Sequence, residues 1–108
     1  MPKKMAKKTE DTLETLKVAG STNPSSLAGA IVKIVNKNAD CELITIGAGP
    51  CNQAMKAVAI ANRLLGSSGM SLSVKPCFYT LDLSNERQEG KEGKSEVTAL
   101  KFKIIVER

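Results

Sequence analysis

The sequence predicts an α/β domain, a two-layer α+β sandwich of order β-α-β-α-β-β, with a four-stranded mixed sheet and two helices on one face. Two strand-like segments are each followed by a helix start that contains proline, and two more strand-like segments end the chain. Strand–helix–strand crossovers are nearly always right-handed, which places both helices on the same side of the sheet. We therefore expect one domain over residues 13–108, preceded by a flexible lysine-bearing tail over residues 1–12.

The first strand and the first helix follow from short-range patterns. LETLKVAG alternates between apolar and polar residues, which is typical of a strand. In STNPSS, Asn23 can cap a helix and Pro24 suits the first helical position. NKNAD then ends the helix. The apolar residues between these two signals share one face at helical spacing: Leu27, Ile31, Ile34 and Val35.

The second strand and helix repeat this arrangement. CELITIG is rich in β-branched residues and predicts a strand. Gly49 and Pro50 predict a cap and a first helical position, and the helix should run to about Leu65. This helix is apolar on nearly every side, and its alanines permit close approach. The pattern indicates either a subunit interface or a helix buried centrally in a monomer.

The last two strands are predicted from residues 70–83 and 96–108. Pro76 should place the first of them at a sheet edge or at a bulge, because proline cannot donate to a ladder. SNERQEGKEGKS lies between them without one apolar residue, and it predicts a protruding hairpin arm. The helix-free face should carry lysines that form either a basic patch or an ordinary solvated strand face: Lys75, Lys101 and Lys103.

Charge and composition limit the possible functions. The net charge is +5, of which residues 1–12 contribute +2, so the remainder is only mildly basic and is compatible with an anionic partner. Aromatic residues make up 3%, so a nucleic-acid surface cannot be a row of stacked rings. The chain has no histidine, which excludes Ser–His and Cys–His catalysis. We expect no enzymatic activity, no cofactor and no metal site.

The cysteines and the amino terminus indicate a soluble protein of a reducing compartment. The lysine-rich start lacks the apolar stretch of a secretory signal, and no segment approaches the roughly 20 apolar residues that span a bilayer. We expect a cytoplasmic protein without a membrane partner, and the nucleus is the alternative location for a eukaryotic source. Three cysteines in apolar segments are expected to be reduced core thiols: Cys41, Cys51 and Cys77.

The glycine-containing segment GAGPCN admits three interpretations. If the first two strands are parallel neighbours, both helix starts face one region, where their amide groups can meet the phosphates of a polymer. Alternatively, Gly47 and Gly49 only serve a sharp turn, or they hold a small phosphorylated ligand. The ligand interpretation is the weakest because Asn52 replaces the third glycine of a dinucleotide fingerprint, and the segment lacks a Walker lysine.

ITIGAGPCNQAMKAVAIANRL resembles the core of the stage V sporulation protein S family. LKVAGSTNPSSLAGAI and KFKIIVE resemble the beginning and the end of the same family, so the resemblance covers about Leu13 to Glu107. The family is tied to spore development in bacteria, and it is similar in fold to the Alba superfamily of small chromatin and RNA-binding proteins. The resemblance therefore implies an Alba-like domain that forms a homodimer or a higher homo-oligomer.

By analogy, the resemblance implies nucleic-acid contact through the first strand–helix loop, the start of the second helix and the hairpin arm. The corresponding residues are Asn23, Ser25, Gly49, Asn52, Gln53, Lys56, Arg87, Lys91 and Lys94. Alba proteins place cations in both loops, whereas STNPSS and GAGPCN have none, and the arm is neutral overall. We expect weak, salt-sensitive and sequence-indifferent binding of DNA or RNA, with a role in developmental regulation. The alternative is a structural or regulatory protein that acts through protein–protein contacts.

Overall fold

The computed structural model describes residues 12–82 and 96–108. It shows a four-stranded sheet covered by two helices. The elements are β1 (Leu13–Val18), α1 (Pro24–Asn36), β2 (Asp40–Thr45), α2 (Ala48–Leu65), a 3-10 turn (Gly66–Ser68), β3 (Ser71–Asp82) and β4 (Glu96–Glu107). The strand order is β1-β2-β4-β3, in which β1 and β2 are parallel and the other pairs are antiparallel. The predicted fold class is confirmed.

The core lies between the helices and one face of the sheet. Alternate residues of the strands point toward the helices, and Leu43 at the centre of β2 is completely buried. Phe102 is the single aromatic residue among the buried core residues of the described chain. Both helices contribute to the same cluster, which places them on the same face. The main contributors are Val18, Leu27, Ile31, Leu43, Ala57, Ala61, Phe102 and Ile104.

Most of the apolar surface of α2 is used inside the domain. Ala54, Ala57 and Ala61 have no exposed surface, and their small side chains let α2 lie close to α1 and the sheet. Leu64 is the exception, since it is 53% exposed. The central burial of α2 therefore accounts for these three alanines, and a subunit contact through Leu64 stays a prediction.

The open edge of β3 is partly covered by α2. Pro76 pairs in register with Phe102 on this edge strand, so the predicted edge position is confirmed without a bulge. Four residues before it, the Leu72 N–H donates to Asn62 Oδ1 over 2.9 Å, and Asn62 Nδ2 donates to the Leu72 carbonyl over 3.0 Å. The Asn62 side chain thus acts as a neighbouring strand would at this point of the edge.

Two sequence expectations need correction. The second helix begins at Ala48, two residues earlier than Gly49 and Pro50 predicted, because Gly47 has φ 100° and reverses the chain direction there. Cys77 is exposed instead of being a core thiol, since it lies on the side of β3 that faces away from the helices. Cys41 is buried as expected, and Cys51 is half-buried.

Residues 1–11 of the predicted amino-terminal tail and the whole predicted hairpin arm, residues 84–95, lie outside the described residues, as does residue 83 of the predicted third strand. Within the described part of the chain, no helix combines the length and the apolar character needed to cross a membrane.

Candidate nucleic-acid interface

The starts of α1 and α2 lie against each other at one edge of the sheet. Parallel pairing of β1 with β2 brings Val18 opposite Thr45, so the loops that follow both strands emerge together. Gln53 Nε2 in the first turns of α2 donates to the Thr22 carbonyl in the loop before α1 over 2.7 Å. A β carbon placed on Gly49 would lie 3.9 Å from the Cα of Gly20. The expectation that both helix starts face one region is therefore confirmed.

The start of α1 is capped by its own side chains. Asn23 Oδ1 accepts hydrogen bonds from the N–H groups of Ser25 and Ser26, over 2.8 and 3.1 Å. The loop before it is closed as well, because Thr22 Oγ1 accepts from the Ala19 N–H over 2.8 Å. Asn23 and Ser25 are exposed as predicted, but the Asn23 oxygen and the Ser25 amide are already used by the helix.

The start of α2 has a different arrangement. No side chain of the described residues caps it, and its N-cap is Gly47. The Cys51 N–H donates to the Gly47 carbonyl over 3.3 Å, and Pro50 has no N–H group. The amide groups that this helix end can offer to an anion are therefore those of Ala48 and Gly49.

The remaining predicted residues of α2 divide into two groups. Asn52 and Lys56 are exposed, and Arg63 continues the same exposed stripe toward the end of the helix. Gln53 is half-buried and its Nε2 donates to the Thr22 carbonyl, so it holds the two loops together. The predicted arm residues lie outside the described residues: Arg87, Lys91 and Lys94.

The helix-free face of the sheet is basic. Lys75 and Lys103 stand opposite each other on β3 and β4, as the sequence predicted, and Lys101 is two residues further along β4. Sequence analysis missed Lys17 of β1, although its alternation with Leu16 and Val18 was the available signal. This lysine lies at the same edge as the two helix starts, in a groove that Gly20 and Pro50 also line.

The single acidic residue among the central positions of this face is held by its neighbours. Glu42 Oε2 accepts from Thr15 Oγ1 over 3.0 Å, and Glu42 Oε1 lies 3.8 Å from Lys101 Nζ. The Lys101 ammonium is also 4.8 Å from the centroid of the Tyr79 ring. Lys101 is thus positioned by an ion pair on one side and a ring on the other.

A family model described as stage V sporulation protein S matches residues 14–107. The chain belongs to the stage V sporulation protein S family. The match spans both helix starts and all four strands, and it confirms the resemblance inferred from the glycine-containing motif. Membership makes this a sporulation-related protein at the level of the family.

Proposed function

We propose that this member of the stage V sporulation protein S family is a non-enzymatic nucleic-acid-binding protein, with weak and sequence-indifferent affinity for DNA or RNA. The observation that carries the proposal is the contact between the two helix starts, made by Gln53 and Thr22. It presents the uncapped end of α2 on an exposed surface that also holds Lys17.

The chemistry of this surface suits phosphate. A helix start carries a partial positive charge, and its free N–H groups point at the position where an anion would lie. Ala48 and Gly49 are both exposed at that end of α2. Lys17 and Lys56 add exposed ammonium groups on the strand before one loop and on the helix after the other.

The same chemistry explains why the binding should be weak and indifferent to sequence. Backbone amides and lysines contact phosphate oxygens, and such contacts position a protein without distinguishing bases. Each phosphate that is neutralised contributes about 0.9 to the salt dependence of binding, so a surface with few cations gives modest affinity that is lost as salt rises.

Fluorescence anisotropy with labelled single-stranded and duplex oligonucleotides tests the proposal at low and at physiological salt. Lys17→Gln/Lys56→Gln should weaken the binding of every sequence to a similar extent and lower the salt slope by about 2, because two phosphate contacts are lost. Lys33→Gln/Arg63→Gln is the matched control, since it removes the same charge from the last turns of the two helices.

Three results are informative. A loss of binding confined to the first double variant supports the helix-start surface. An equal loss in both double variants would show that only net charge matters. No anisotropy change with any oligonucleotide at low salt would overturn the proposal.

A protein contact through α2 is the second candidate, and the exposure of Leu64 favours it. An aliphatic side chain that is 53% exposed on an otherwise well-packed helix suits a homo-oligomer interface. Sedimentation equilibrium tests this, because Leu64→Ser should convert an oligomer to a monomer. A monomeric unaltered protein would exclude the contact.

A further inference from the structure

The groove that holds Lys17 beside the two helix starts extends onto the helix-free face of the sheet. It lies between β1 and β2 on one side and the end of β3 on the other, and its volume is about 630 Å³. This falls within the range of about 300–1,000 Å³ that is usual for small-ligand sites. The side chains that define it are Lys17, Ile44, Ile46, Pro50, Tyr79 and Leu81.

We propose that this groove binds an unstacked base of single-stranded nucleic acid, with Tyr79 as the stacking ring and Lys17 and Lys101 beside the flanking phosphates. The inference rests on the proposed function and deepens it, because it names single strands as the preferred substrate and assigns a base-binding position.

The walls of the groove are suited to a base. Ile46 is 46% exposed and Ile44 is buried beneath, so the floor is aliphatic and already partly desolvated. Tyr79 lines the groove while Lys101 covers part of its ring, 4.8 Å from the centroid. Tyr79 is half-buried, so part of its side chain stays accessible to a flat ligand. Stacking of bases on aromatic side chains is the usual way in which proteins hold single strands.

The charge around the groove selects a polyanion over other occupants. Four lysines lie on this face with Glu42 between them, and two further acidic residues of the face, Asp40 and Glu107, lie at the strand ends. A second copy docked by two-fold symmetry would bring the two lysine groups against each other, which opposes self-association here. An apolar peptide would match the aliphatic floor of the groove but would offer no negative charge to the lysines around it. The lysines concerned are Lys17, Lys75, Lys101 and Lys103.

A duplex cannot use the groove in the same way. Its bases are paired and stacked inside the helix, and extrusion of one costs a few kcal/mol. Single strands present their bases without that cost. The groove also lies beside the two helix starts, since Gly20 and Pro50 line it, so one strand can contact both surfaces.

Tyr79 provides a specific optical probe because the chain has one tyrosine and no tryptophan. Titration of the full chain with a short oligothymidylate at low salt should quench tyrosine emission in a saturable manner. A duplex hairpin with the same number of phosphates should leave the emission nearly unchanged, because its bases do not reach the ring.

Variants separate stacking from charge. Tyr79→Ala should weaken oligothymidylate binding roughly 5- to 100-fold and leave duplex binding unchanged, whereas Tyr79→Phe should retain most of the affinity. Ile46→Ser, which removes aliphatic surface from an exposed position of the groove without changing the charge, should weaken single-strand binding in the same selective way. Phe78→Ala is the matched control, since Phe78 is the adjacent aromatic residue, 80% exposed, on the opposite face of β3.

Each outcome bears on a different claim. Selective loss of single-strand affinity in Tyr79→Ala and Ile46→Ser supports base binding in the groove. If these variants bind as well as the unaltered chain, base binding in the groove is overturned and the proposed function is unaffected. Failure of the unaltered chain to bind any oligonucleotide overturns both. A dimer that dissociates in Ile46→Ser also overturns the inference, since a second copy would then be the occupant.

Discussion

The two faces of the sheet are built from the same four strands and have opposite chemistry. Toward the helices the strands place Leu43, Phe102 and Ile104, which are buried in one cluster. On the other side the same strands place lysines around Ile44 and Tyr79. One face therefore holds the domain together, and the other is left for an interaction. Changes on the first should alter stability, and changes on the second should alter binding.

The largest effect is expected at the centre of the helix-covered face. Leu43→Ala should lower the free energy of unfolding by about 2–5 kcal/mol, because it leaves a cavity in a strand with neighbours on both sides. Lys103→Ala, on the opposite face of β4, should change the free energy of unfolding by no more than about 0.5 kcal/mol. Urea denaturation measures both values. A loss below about 1 kcal/mol in Leu43→Ala would contradict the central role of this face.

Asn62→Ala should cost about 2 kcal/mol, since two hydrogen bonds to Leu72 are lost at the open edge of β3. Arg63→Ala, the next residue and exposed, serves as the control. Hydrogen exchange offers a direct readout: the Leu72 amide should exchange faster in Asn62→Ala and at its ordinary rate in Arg63→Ala. Unchanged exchange at Leu72 would argue against the contact.

The buried thiol of Cys41 predicts a loss of stability at alkaline pH. Burial, followed by the negative charges of Glu14 and Glu42, raises the pKa of Cys41 from 9.0 to about 12. Between these two values the unfolded chain has released the proton and the folded chain has not. The free energy of unfolding should therefore fall as pH rises above 9, by up to about 1.4 kcal/mol per pH unit.

Urea denaturation from pH 8 to about pH 10.5 checks this window. In Cys41→Ala the free energy of unfolding should fall less steeply with pH, because the Cys41 contribution is absent, although this variant is less stable than the unaltered protein at neutral pH. Cys77→Ala should keep that contribution, because Cys77 is exposed on the other face. Equal slopes in all three proteins would show that the Cys41 thiol does not resist ionisation.

The smallest effect on stability, but a measurable one on binding, is expected for Glu42→Gln. Glutamine keeps an acceptor for the Thr15 hydroxyl and removes the charge that lies 3.8 Å from Lys101. Stability should change by about 1 kcal/mol or less, while nucleic-acid affinity at low salt should rise about threefold or more. Glu14→Gln is the control, since it changes net charge equally but removes the partner of Lys37. Similar gains in both variants would contradict a role for the helix-free face.

Short-range chemistry explains which elements were predictable. Asn23 and Pro24 specify the start of α1 through contacts within three residues, and the structure shows the expected cap. Pro76 indicated an edge strand because its missing N–H excludes a central position. The start of α2 was placed two residues late because the φ of Gly47 depends on how the strand enters the helix.

Long-range pairing explains what was missed. The exposure of Cys77 follows from which face of β3 points away from the helices, and alternation broken by Pro76 did not reveal it. The groove joins Lys17 of one edge strand to Tyr79 of the other, and these residues are 62 positions apart in the chain. No pattern within a short stretch of sequence predicts that these two residues lie close together.

The amino-acid sequence by itself determined the order of the elements, the capped start of α1, the aliphatic core and the family. Each of these depends on residue types and on spacings within a single element or motif. Only the tertiary structure decided that the α2 start lacks a side-chain cap, that Gln53 joins the two loops, and that Lys101 contacts both Tyr79 and Glu42. Those contacts arise because strand pairing and helix packing bring distant residues together, and the energy that favours them is burial of the shared core.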